Sequence, residues 1–188
     1  MHRFIVVIGV PGCGKTTLME TTRDLFPGGW SFGLVGGHGG AAINRYLVGY
    51  YRSGGFDGTD QLSFTAATAL RNWIPTLAAP STIVWEGDRL SNSKVFASMA
   101  QHGALQIVLL DVDAESLGRR LKRRAEQVGK PQDATWLKGR TSKVSKLSAE
   151  WFGNVLRWQN TTASDLALNT ARLRALILNT QETMEEFA

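Results

Sequence analysis

From residue 9 to residue 16 the chain reads Gly-Val-Pro-Gly-Cys-Gly-Lys-Thr. This is a complete match to the pattern G-x-x-x-x-G-K-[ST], and its surroundings fit as well. Phe4–Ile8 before it is an unbroken apolar run rich in β-branched residues, as expected of a strand covered on both faces. Lys15–Phe26 after it reads as a helix stopped by Pro27-Gly28-Gly29. A glycine loop between a strand and a helix curls successive backbone N–H groups around an anion, and the helix start adds unpaired N–H groups and a favourable dipole. Gly9, Pro11, Gly12, Cys13, Gly14 and Thr17 are thus expected to line a polyphosphate site. Lys15 is placed to reach the outer phosphates, and Thr16 to set its hydroxyl on Mg²⁺.

The rest of the chain alternates strand and helix patterns. Ser31–Val35, Thr82–Trp85, Ala104–Val112 and Val155–Trp158 read as strands, while glycine-rich Gly36–Gly58 shows no period. Leu62–Leu77, Asn92–His102, Leu147–Phe152 and Ala163–Phe187 read as helical. Such alternation predicts an α/β three-layer sandwich around a mainly parallel, five-stranded sheet. At 188 residues one domain, 1–188, is expected, burying about 70% of its unfolded surface without staples. A single cysteine, Cys13, excludes a disulfide framework and a multi-cysteine zinc site. No apolar run reaches the length of a membrane span, which leads to the expectation of a soluble, cytoplasmic protein.

Charge is unevenly distributed. Residues 116–147 hold five arginines and five lysines against Glu126 and Asp133, a net +8 in a chain whose formal charge is +5. The segment starts as a helix and breaks near Gly129-Lys130-Pro131. Such a block faces an anion, either as a lid over transferring phosphate or as a groove for a nucleic-acid backbone.

The loop and its setting resemble the P-loop NTPase superfamily, and within it the small nucleoside and nucleotide kinases. VWEGDRLSN at a strand end and RRLKRRAEQVGKPQDATWLKGR also look like that group. The resemblance implies ATP and Mg²⁺ as cofactors and an arginine-rich lid over 116–147, with Arg119, Arg123 and Arg140 among its members. It also carries Asn160, after the last strand, toward the adenine by position alone. No Asn-Lys-x-Asp guanine motif is present, and a motor ATPase normally needs a longer chain. Phosphoryl transfer to an acceptor is therefore the expected chemistry.

Acceptor-side candidates cluster at strand ends, where ligands bind in open parallel sheets. Glu86 or Asp88 can hold Mg²⁺ through water or orient the attacking hydroxyl; Arg89 can clamp a phosphate. Asp57 and Asp60, in GGFDGTDQLSF, are candidate bases, with helix capping by Thr59 or Asp60 as the alternative. His38 among four glycines is a candidate acceptor contact. Arg45 and Arg52 with neighbouring tyrosines make a short basic-aromatic patch suited to a base and its phosphates. GGHGG, GGFDGTDQLSF and the oversized basic segment also look similar to phage-encoded kinases of 5-hydroxymethyluracil in DNA. That narrower resemblance implies DNA as substrate, in a host cytoplasm. Free nucleosides or nucleotides, then other small metabolites, then plain ATP hydrolysis stand as alternatives.

Overall fold

The computed structural model describes residues 1–51 and 58–179; the expectations placed on Arg52 and Asp57 lie outside the described residues, as does the end of the helix read to Phe187. Strand β1 (His2–Ile8) lies inside the sheet, with a parallel neighbour on either side. In chain order the others are β2 (Gly29–Phe32), β3 (Val35–Gly40), β4 (Arg45–Val48), β5 (Thr82–Glu86), β6 (Gly103–Asp111) and β7 (Val155–Gln159). Their spatial order is β2-β3-β4-β5-β1-β6-β7.

The expected five-stranded sheet is therefore corrected to seven strands. Strands β4, β5, β1, β6 and β7 are parallel, and β2 and β3 add an antiparallel edge. The stretch read as one strand, Ser31–Val35, contains the hairpin turn, at Gly33 with φ 56° and Leu34. Periodicity missed β3 because Val-Gly-Gly-His-Gly-Gly carries almost no side chains to alternate. Its glycines have a packing reason: a Cβ at Gly37 or Gly39 would run into the carbonyl of Leu47 or Arg45 on β4.

Alternate residues of β1 feed opposite layers, as the period of two requires. Phe4, Val6 and Ile8 join one core with Leu70, Trp73, Phe96, Met99 and Leu147. Ile5 and Val7 join the other with Leu18, Met19, Leu173 and Ile177. Helices α2 (Ala66–Trp73), α3 (Ser93–His102) and α5 (Ala134–Glu150) supply the first layer; α1 (Lys15–Glu20) and α6 (Ala163–Leu178) supply the second. The three-layer sandwich thus stands. No helix among the described residues is long and apolar enough to cross a membrane.

Local chemistry sets where the helices stop. Helix α1 ends before the expected Phe26 because the Thr21 and Thr22 hydroxyls bond back to the carbonyls of Leu18 (2.7 Å) and Met19 (2.9 Å), a competition that weakens helix interiors. A turn of 3-10 helix over Arg23–Leu25 follows. Helix α2 starts later than Leu62, and Thr59–Gln61 forms a separate 3-10 turn without a side-chain cap, so neither Thr59 nor Asp60 caps α2. The basic segment is two helices, α4 (Ala114–Val128) and α5, each opened by an aspartate cap, Asp113 and Asp133, and separated at Gly129 with φ 78°. The break lies where expected, but no distinct arginine-rich lid emerges from the pair.

Tyr46 belongs to the core rather than to a base-stacking patch. Trp30 and Trp73 stack with centroids 4.2 Å apart, and Tyr46 meets them edge-on at 5.3 and 4.9 Å.

Candidate active site

The parallel strands all end on one edge of the sheet, and the site grows from that edge. Ile8 hands the chain to the glycine loop, whose backbone only glycine adopts without strain. Gly9 has φ 154°, and a Cβ there would sit 2.5 Å from the Cys13 sulfur. Gly14 has φ 99°, and a Cβ there would sit 2.5 Å from Asn160 Nδ2. Within the loop Lys15 curls back, its Nζ donating to the carbonyls of Gly9 (2.9 Å) and Val10 (3.1 Å). Cys13 is fully buried in the core, so alkylation at the loop, conceivable for an exposed thiol, is not expected. Pro11 is half-buried and Thr17 exposed on the first turn of α1.

Beside the loop, β5 ends in Glu86, which is 4% exposed. Its Oε1 accepts a hydrogen bond of 3.1 Å from the Thr16 hydroxyl. The Thr59 hydroxyl bonds the Glu86 carbonyl at 2.8 Å, which ties the turn carrying Asp60 to the end of β5. A hydroxyl and a carboxylate side by side are hard oxygen donors of the kind Mg²⁺ takes, one or two at a time, alongside phosphate and water. These residues fit that ion.

Asp88, only two residues further on, faces elsewhere. Arg140 and Lys143 of α5 both engage its carboxylate, the lysine at 2.7 Å, and Lys143 also donates to the Asp88 carbonyl at 2.9 Å. Burial, and behind it the Arg140 charge, push the Lys143 ammonium down to about 8. Of the two carboxylates, it is Glu86 that meets the Thr16 hydroxyl, while Asp88 and Arg140 join the strand-end loop to α5. Arg140 also lies over the Trp136 ring, 5.2 Å from its centroid. Arg89 donates to the Asp60 carbonyl at 3.3 Å and covers the exposed Phe64 ring at 4.2 Å. Asp60 is exposed.

Of two further candidates, Arg45 meets a geometric obstacle and His38 takes a different setting. Arg45 opens β4 in register with Thr82 at the start of β5. Four residues separate Thr82 from Glu86, about 13 Å at strand rise, so Arg45 lies at the opposite edge of the sheet and bonds the Leu25 carbonyl at 3.2 Å. His38 lies within β3, not in a loop; its Nε2 accepts the Tyr51 N–H at 3.3 Å, which puts the neutral ring's proton on Nδ1.

On α4 the arginine that reaches the loop is Arg120. Its guanidinium donates to the carbonyls of Cys13 (3.1 Å), Asn160 (2.8 Å) and Thr161 (2.9 Å). Arg119, expected at the nucleotide, instead engages Glu115 and Ser116 on the helix surface. Arg123 shares that side by helical spacing and is exposed. The sequence did hold a signal. Leu117 and Leu121 approach Gly12, and positions 117, 120, 121 and 124 make one helix face. The arginines on the leucine face were the ones to choose. Asn160, expected near the adenine, is 3% exposed and donates to the Cys13 carbonyl at 2.7 Å.

A glycine loop, its lysine and a threonine–glutamate pair at the ends of parallel strands suit the phosphates of a nucleotide, and this protein is a kinase. The chain belongs to the P-loop Nucleotide Kinase3 family, whose model matches residues 41–164. No curated protein matches it in sequence. Among solved structures, a sugar kinase from Janibacter sp. HTCC2649 is 16% identical with a TM-score of 0.51, over 96% of either chain, and supports the fold. Also similar are a gluconokinase from Sinorhizobium meliloti 1021 (18% identical, TM-score 0.47, 94% of this chain and 96% of that one) and a shikimate kinase from Bacteroides thetaiotaomicron (18%, 0.44, 93% and 98%).

These findings overturn the expectation of DNA as substrate partner. The family that matches is described as a nucleotide kinase, and the basic segment that prompted the expectation is partly engaged within the chain, through Arg119, Arg120, Arg140 and Lys143. The likeness to phage kinases of modified DNA is withdrawn with it.

Proposed function

We propose that the protein moves the γ-phosphate of ATP onto an oxygen of a small free acceptor, the hydroxyl of a nucleoside or the phosphate of a nucleotide ahead of the hydroxyl of a sugar-like metabolite. The observation that carries this reading is the Thr16 hydroxyl lying 3.1 Å from Glu86 Oε1 beside the glycine loop. The family description, a nucleotide kinase, supports the order of acceptors.

In this reading the loop amides and Lys15 bind the β- and γ-phosphates, Lys15 exchanging the Gly9 and Val10 carbonyls for phosphate oxygens. Thr16 and Glu86 hold Mg²⁺, which when bound neutralises charge on the phosphate oxygens. Asp60 orients the acceptor hydroxyl and accepts its proton, from a turn tied to Glu86 through Thr59. Arg89 binds an acceptor anion beside it.

The test is transfer of label from γ-labelled ATP to a panel of nucleosides, nucleoside monophosphates, sugars and sugar acids. Label in a nucleoside or nucleotide supports the reading, and label confined to sugars moves the acceptor to the second class. ATP hydrolysis with every acceptor blank sinks it. On the accepted substrate, Asp60→Asn is expected to lower kcat by about 10²-fold with little change in ATP KM. Unchanged turnover would remove Asp60 from the mechanism.

A further inference from the structure

The phosphate loop is held from behind by a polar network that the proposed chemistry does not use. Arg120 spans two segments: one guanidinium nitrogen faces the carbonyls of Gly12 (3.5 Å) and Cys13 (3.1 Å), the other those of Asn160 (2.8 Å) and Thr161 (2.9 Å). The rigid fork of arginine suits such a bridge; a lysine ammonium has no second arm. Asn160 adds a second donor to the Cys13 carbonyl at 2.7 Å. Asn169 on α6, 1% exposed, braces that turn through the Gln159 carbonyl (2.7 Å) and Asn160 Oδ1 (3.3 Å).

The direction of these bonds matters. In a trans peptide the N–H points opposite to the C=O. Two donors holding the Cys13 carbonyl on the outer side of the loop therefore turn the Gly14 N–H to the inner side. Preset donors need no rearrangement when an anion arrives, which is what makes them effective.

We infer that Arg120, with Asn160, is a positioning residue that presets the Cys13–Gly14 peptide for phosphate and couples the turn at residues 160–161 to the loop. The inference rests on the reading of the loop as the ATP phosphate site. It assigns the pair to the phosphate end of the nucleotide, not to its base.

Inorganic tripolyphosphate separates those two ends, since it has no base. Calorimetric titration of the intact protein with tripolyphosphate and with ATP is compared for wild type, Arg120→Lys and Asn160→Asp. Arg120→Lys keeps the charge and loses the bridge. Asn160→Asp keeps the size and loses the donor, and it covers the case in which one variant fails to fold. The expected result is at least tenfold weaker binding of both ligands by the same factor, with melting of the unliganded protein within a few degrees of wild type. A folded variant that loses ATP affinity but keeps tripolyphosphate affinity overturns the inference in favour of a base contact. Wild-type affinity for both ligands in both variants overturns it outright. A wild-type protein that binds no tripolyphosphate overturns the phosphate-site reading itself, and this inference with it.

Discussion

Lys15→Ala is expected to lower kcat/KM for phosphoryl transfer by about 10²–10³-fold, the loss typical of removing one preorganised donor from a developing oxyanion. The side chain sits on the loop's own carbonyls at 2.9 and 3.1 Å, with the Cys13 sulfur at 3.7 Å, and fills no core position, so the variant should melt close to wild type. Lys15→Arg is not a conservative alternative, because a planar fork replaces a compact point charge. Steady-state kinetics with labelled ATP decide the matter. Activity within tenfold of wild type, from a folded Lys15→Ala protein, would detach the lysine from the chemistry.

The second large effect is expected at Glu86. Glu86→Gln keeps the size of the side chain and an oxygen to accept the Thr16 hydroxyl, so it removes charge with little change in packing. A metal acting on phosphoryl oxygens is worth several kcal/mol, or about 10³-fold in rate. The variant should lose about that much kcat and require more Mg²⁺ for half-maximal rate. Asp88→Asn is the matched comparison. Its carboxylate faces Arg140 and Lys143, so the Mg²⁺ dependence should stay at the wild-type value. If instead Asp88→Asn shifts the Mg²⁺ curve and Glu86→Gln does not, the two acids exchange roles.

These two acids show what kind of information a sequence lacks. Glu-Gly-Asp after a strand places two carboxylates near one edge, and nothing local distinguishes them. The distinction comes from partners far away in the chain: Thr16, seventy residues earlier, for Glu86, and Arg140 and Lys143 on α5 for Asp88. The arginines behave alike. Helical spacing divides Arg119 and Arg123 from Arg120 and Arg124 and puts the second pair on the face of Leu117 and Leu121, but it does not say what that face meets. Only the packing of Leu117 and Leu121 against Gly12 turns Arg120 to the loop. Arg45 was misplaced for a related reason: neighbouring tyrosines in the sequence say nothing about which end of a strand a residue occupies, whereas the register with Thr82 does.

The sequence by itself determined the phosphate loop, the central strands and the helix that starts at Lys15, because each is marked by a pattern within a short stretch of chain. Glycine supplies backbone angles closed to other residues, apolar runs mark doubly buried strands, and caps such as Asn92 (accepting the Val95 N–H at 3.0 Å) and Thr162 with Asp165 mark helix starts. Tertiary structure alone decided the antiparallel edge of the sheet and the division of labour among charged side chains. Glycine strands have no hydrophobic period to read, so β3 is specified by its fit against β4. A charged side chain adopts whichever partner the fold brings within a few ångströms, and that choice is made across the whole chain.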